Sequence, residues 1–206
     1  LTALVPFSQS EGLLDTEATD VETTGLKQQS SGSQSADVFS LTMQAHPSFW
    51  FFVPYSLATT PLEFVLQDED NNTLYQSRLS VDVASSSDRG IIQITLPESA
   101  PALQPETTYH WYFLAYCDQG EPSFVDGWIA RSPLSPADSL TGATPREQAI
   151  FYAQHGIWQD TVTLLGERYR EGVTDADVAR DWESLLESAN LSGLIEQPLV
   201  DCCSLE

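Results

Sequence analysis

The sequence predicts a mainly β fold with a C-terminal α segment: an immunoglobulin-like antiparallel β-sandwich followed by a tetratricopeptide-like helical hairpin and one further helix. Three observations carry this. Between residues 38 and 132, short apolar runs recur at regular spacing, separated by turns rich in Pro, Gly, Asn and Ser. Past Pro133-Leu-Ser-Pro136 the hydrophobic period changes from two to nearly four. Leu103-Gln-Pro-Glu-Thr-Thr-Tyr109 places a tyrosine at a corner leading into an aromatic strand, where immunoglobulin-like sandwiches pin the turn before strand F.

In chain order, residues 1–7 (LTALVPF) form a short apolar segment interrupted by Pro6, which reads as an N-terminal edge strand. Leu1, Ala3, Leu4 and Val5 are its candidate pairing residues, within the chain or by exchange into a neighbour. Residues 8–37 are dominated by Ser, Gln, Thr and acidic residues with no periodicity, the composition of a flexible linker.

The sandwich is expected over residues 38–132. Phe39–Met43 alternates, and His46-Pro47 turns the chain. Phe49–Val53 is a continuous apolar strand. Leu62–Leu66 and Thr73–Val83 make a hairpin around Asp68-Glu-Asp-Asn-Asn72. Ile91–Leu96 is followed by the corner and by Tyr109–Cys117, the densest aromatic run. There Tyr109, Trp111, Phe113 and Ala115 share one face, and His110, Tyr112, Leu114 and Tyr116 the other. Because the second set is also mostly apolar, the strand is expected to be central and covered on both sides. Ser123–Arg131, with Trp128, completes the set.

The helical segment is expected over residues 144–191. Thr144-Pro145-Arg146-Glu147 is a capping box with proline at the first helical position. Helices are predicted over 145–155, ending at Gly156, then over 158–170, and from 174 or 175 to about 189. Tyr152-x-x-x-Gly156-x-Trp158 resembles the exit of the first helix in a tetratricopeptide pair, with Thr161 where that pattern has alanine. A lone pair builds no solenoid, so these helices are expected to pack on the sandwich or on a partner. Residues 192–206 are a tail.

The chain of 206 residues is 41% hydrophobic, enough for a real core. Eight basic residues face thirty acidic ones, giving −22. Such a surface repels phosphate backbones and anionic membranes, which argues against nucleic-acid binding. No apolar run approaches the roughly 20 residues of an integral membrane span. The three cysteines, Cys117, Cys202 and Cys203, have no metal-ligand spacing. They predict a disulfide from Cys117 to one of the tail pair, in an oxidising compartment.

LTALVP, HPSFWFFVPY, LEFVLQDEDNN, YHWYF, Gly127-Trp128-Ile129 and FYAQHGIWQDTVTLL occur in an order that resembles the cyanobacterial domain of unknown function 928 family over nearly the whole chain. The long Ser/Gln-rich insertion departs from it. Members of that family carry export signals and often a cysteine-containing tract upstream of LTALVP, so the resemblance implies an extracytoplasmic location and a source for a fourth cysteine. It implies no reaction and no catalytic residues.

Motifs for nucleophilic or phosphate chemistry are absent. His46, His110 and His155 have structural explanations as turn, core-strand and helix-end residues. Asp126, beside Trp128 and across from the face carrying His110, is the best single candidate for a carboxylate acid or a sugar contact. Asp68, Asp70 and Asn72 alternate as in calcium loops, but the glycine and distant glutamate of an EF-hand are missing. The leading expectation is therefore a non-enzymatic, self-associating exported module that polymerises by exchanging its N-terminal strand. The alternative is a carbohydrate-binding or adhesive sandwich in which exposed members of the Phe49, Trp50 and Trp128 set stack on polysaccharide. A carboxylate-dependent hydrolase ranks third.

Overall fold

The computed structural model of the chain describes residues 1–6, 39–81, 89–117, 121–133, 140–172 and 176–205. The expected linker, residues 8–37, lies wholly outside the described residues. The elements are β1 (Thr2–Ala3), β2 (Phe39–Thr42), β3 (Ser48–Val53), β4 (Leu62–Gln67), β5 (Thr73–Val81), β6 (Gly90–Thr95), β7 (Thr108–Ala115) and β8 (Ser123–Arg131). Helices α1 (Pro145–Gln154), α2 (Trp158–Arg170) and α3 (Ala176–Ser188) follow, then β9 (Leu199–Val200) and β10 (Cys203–Leu205).

The strands form two sheets, one ordered β1-β3-β6-β9 and one ordered β10-β5-β4-β7-β8-β2. Alternation decides what lies between them. Phe49, Phe51 and Val53 of β3 and Ile92 and Ile94 of β6 point one way, into a shared core with Leu62, Phe64 and Leu66 of β4 and Trp111 and Phe113 of β7. Phe51 stacks on Phe113 at 4.0 Å between centroids, and Phe49 meets Phe64 at 4.8 Å. Each such ring removed from water contributes about 1.5–3 kcal/mol. The predicted corner is formed: the Gln104 backbone N–H donates to the Tyr109 hydroxyl at 2.9 Å, and Tyr109 is buried.

Two pairings depart from a purely antiparallel sandwich. β2 runs parallel to β8 (Phe39↔Trp128 to Thr42↔Arg131), and β9 runs parallel to β6 (Ile91↔Leu199, Ile92↔Val200). Both parallel strands sit at sheet edges and reach their partners through non-local connections, which local alternation does not encode.

The other face of the four-stranded sheet is covered by the helices, giving three layers. Trp50 and Ile91 point away from the inter-sheet core and pack with Leu4, Val162, Leu165, Trp182, Leu185 and Leu186. Helix α1 carries the expected capping box between Thr144 and Glu147 and ends at Gly156, whose φ of +69° allows the turn. The Ile157 N–H donates to Tyr152 O at 2.9 Å and the Gly156 N–H to Ala153 O at 3.2 Å, the paired bonds of a Schellman stop. At the start of α2, buried Asp160 ties helix to sheet: its carboxylate accepts from Thr42 Oγ1 (2.7 Å), the Met43 N–H (3.0 Å) and Gln44 Nε2 (3.0 Å).

The tail is structural. β9 lies against β6, and after two residues β10 pairs antiparallel with β5 (Cys203↔Val81, Leu205↔Leu79), so residues 199–205 close one side of the sandwich. The expected Cys117 bridge is not made. Cys202 and its neighbour Cys203 are bonded to each other, and Cys117 is a free thiol. The register explains why: Cys203 lies opposite Val81 on β5, and β4 intervenes before the end of β7. Three strand spacings amount to about 14 Å, and a disulfide needs Cα atoms within about 7 Å.

Candidate binding face

β7 is central, but among the described residues only one of its faces is covered. Tyr109, Trp111, Phe113 and Ala115 are buried in the core. The opposite face, expected to be covered, carries no further layer among the described residues, and Tyr112, Leu114 and Tyr116 are half-exposed. The strand register builds this outer face. Trp128 of β8 lies between Phe39 of β2 and His110 of β7, Asp126 lies opposite Tyr112, and Phe124 lies opposite Leu114. Phe124 is 56% exposed and Phe39 44% exposed, two of the three large apolar side chains among the described residues that stand most open to water.

A polar chain runs between these rings. His110 Nε2 is 2.8 Å from Asp126 Oδ2, and His110 Nδ1 is 3.0 Å from the Tyr112 hydroxyl. The ring thus spans the two groups, with its Nε2 edge on the carboxylate and its Nδ1 edge on the phenol. Burial, and then the neighbouring Asp126 charge, push the Tyr112 pKa up, so it stays a neutral phenol. Trp128 stacks on the imidazole at 4.2 Å and 11°, fixing the ring plane. Tyr112 in turn meets Phe124 at 6.4 Å.

A second group lies further along the face. Glu63 of β4 is buried and accepts from the Tyr116 hydroxyl and from Gln76 Nε2 at 2.7 Å. The bond to Glu63 pushes the Tyr116 pKa up, and Arg78 stands 5.9 Å over the Tyr116 ring. Glu63 and Asp126 are two strands and two residues apart in register. Their backbone positions are therefore about 12 Å apart by strand spacing and rise, wider than the roughly 5–9.5 Å of a glycosidase pair. Each is held in its own network, so together they form no acid–base pair.

The other candidate residues fall elsewhere. Phe49 and Trp50 are 1% and 2% exposed, so neither can stack on a sugar; continuous apolarity in β3 reflects burial on both faces. Asp68 Oδ1 accepts from the Asp70 and Asn72 N–H groups at 3.0 and 2.8 Å, and Asn72 Nδ2 reaches both of its oxygens. These bonds hold its pKa below the usual carboxylate range and make it the organiser of the turn. His46 bonds Ala100 O at 3.1 Å, and His155 bonds Phe151 O at 2.7 Å. In β1, Thr2 and Ala3 pair with Phe52 and Phe51, while Leu4 and Val5 are buried and Leu1 is half-buried. Asp126, His110 and Trp128 do converge. Phe39, Tyr112 and Phe124 join them unanticipated, although period two along each strand already put Phe124 with Asp126 and Trp128, and Tyr112 with His110.

No curated protein matches the chain. A family model matches residues 1–199, nearly the full length, as the order of motifs implied. The chain belongs to the family described as Domain of Unknown Function (DUF928).

Proposed function

We propose that this chain is a non-enzymatic, extracytoplasmic binding module whose working surface is the outer face of its six-stranded sheet. The observation that supports it is the pairing of exposed Phe39 and Phe124 with a hydrogen-bonded Tyr112–His110–Asp126 chain on the one sheet face that, among the described residues, no other layer covers. Aromatic groups left in water beside ordered polar groups suit recognition better than packing. The export implied by the resemblance supports the location. The test is sedimentation of the full chain with washed cell-envelope material, comparing the parent with Phe124→Ala. Retention by the parent and loss in the variant is the expected result; equal retention of both would remove the face from the function.

A second reading is assembly by strand exchange, favoured by the position of β1. It is an edge strand held by a two-residue ladder plus the Leu4 N–H to Trp50 O bond at 2.8 Å, yet it seats Val5 in one core and Leu4 in the other. A segment so placed can leave one copy and complete another, and a tether read from the composition of residues 8–37 supplies reach. Exchange predicts oligomers that grow with protein concentration and vanish when residues 1–7 are deleted. A monomer at every concentration would refute it.

A further inference from the structure

The part of the open face flanked by rings is centred on Asp126 and Tyr112, with Arg78 and Gln76 further along it beside Tyr116 and Glu63. Within the Tyr112–His110–Asp126 chain the imidazole engages Asp126 through Oδ2 and Tyr112 through its hydroxyl. What remains to meet a ligand is the second Asp126 oxygen and the outward side of the Tyr112 hydroxyl. The Asp126 side chain is 22% exposed, so it is reached from solvent. Rings flank these groups. Phe124, Asp126 and Trp128 are alternate residues of β8, so ring, acceptor and ring extend over about 13 Å, with Phe39 beyond Trp128 on the edge strand.

A ligand complementary to the Asp126 part of the face presents apolar faces and hydrogen-bond donors side by side, and the net charge of −22 disfavours anions. A second copy of the face meets it with the same aromatic and acidic groups, on a chain of charge −22 that opposes like-to-like pairing. Anionic polymers and membranes are repelled by the same charge. A sugar chain fits: the C–H face of a pyranose packs on an aromatic ring while its hydroxyls donate to a carboxylate and a phenol oxygen.

Resting on the reading of this face as the working surface, we propose that Phe124, Asp126, Tyr112, Trp128 and Phe39 bind an uncharged polysaccharide. Phe124 and Phe39 are the stacking positions. Asp126 and Tyr112 are the hydroxyl contacts. His110 is a positioning residue that holds both, and Trp128 holds His110 while offering its remaining ring surface.

The experiment is affinity electrophoresis of the full chain in gels containing hydroxyethyl cellulose, amylopectin, dextran or, as the anionic comparison, alginate. Phe124→Ala, Asp126→Asn and Tyr112→Phe are run beside Ile150→Ala, an exposed helical position, with folding checked by circular dichroism and melting. At least one neutral polymer should retard the parent and Ile150→Ala, and alginate should not. Phe124→Ala and Asp126→Asn should each weaken retardation by about tenfold or more, the loss typical of a central contact. Retardation unchanged in both variants would overturn the site. No retardation by any neutral polymer, with envelope sedimentation still lost in Phe124→Ala, would overturn the ligand class and leave the working face standing. Failure of both assays would remove both.

Discussion

Replacing Gly166 with alanine tests the packing of helix on sheet. Gly166 lies in α2 where it crosses Trp50, and a Cβ there would stand 2.6 Å from Cη2, 2.9 Å from Cζ2 and 3.0 Å from Cζ3 of the indole. Carbon atoms prefer about 3.5–4.0 Å, so roughly 1 Å of movement is required. The indole is poorly placed to give way. It is 2% exposed, its Nε1–H donates to Thr163 Oγ1 at 3.1 Å, and Trp182 lies 6.2 Å away. Overpacking costs about 1–3 kcal/mol, and losing the indole bond about 0.5–1.5 kcal/mol more. The better helix propensity of alanine returns about 1 kcal/mol. The expected result is a destabilisation of about 2 kcal/mol, or a melting temperature lower by about 4–8 °C for a chain of this size. Urea unfolding followed by tryptophan fluorescence measures it. Gly193→Ala, whose Cβ meets nothing within 4 Å, is the control and should stay within about 0.5 kcal/mol of the parent. Equal or greater stability of Gly166→Ala would refute this account of the helix–sheet contact.

Two further predictions concern charge and thiols. Arg146 grips Asp181 across α1 and α3 at 2.5 and 3.0 Å, and its hydrogen bond lowers the Asp181 pKa from 3.8. A depressed carboxylate pKa stabilises the fold above the unfolded value, and the benefit fades as pH falls through the folded one. Asp181→Asn should therefore cost at most about 1 kcal/mol at pH 6, as expected for a partly exposed surface pair, and nothing in strong acid; a pH-independent difference would assign the effect to packing. In the folded protein without reductant, a thiol reagent should label Cys117 alone, and Cys202 and Cys203 only after reduction. A peptide joining Cys117 to the tail would contradict the strand order given above.

The legibility of the candidate face was partial, for a definite reason. Alternation along single strands separated Tyr109, Trp111 and Phe113 from His110 and Tyr112, and put Asp126 with Trp128. It could not say which of two mostly apolar faces meets the second sheet, because that depends on the partner layer. The same ambiguity made Phe49 and Trp50 look available for ligands. Both are buried, in opposite directions, one against the six-stranded sheet and the other against the helices.

What the sequence determined by itself is local. The hydrophobic period, the capping box at Thr144, the stop at Gly156, the corner at Tyr109 and the turn at Asp68 each rest on residues within a few positions of one another. Their physics is steric and short-range, so it survives without knowledge of the rest of the chain. The tertiary structure decided everything that depends on register between distant segments. It placed β2 parallel to β8, turned the tail into two strands, separated Cys117 from Cys203 and laid the helices over the four-stranded sheet. In doing so it left the outer face of the six-stranded sheet without a further layer among the described residues and joined His110 of β7 to Asp126 of the adjacent β8. Those outcomes follow from which apolar surfaces can be buried together, a property of the whole chain and of none of its segments alone.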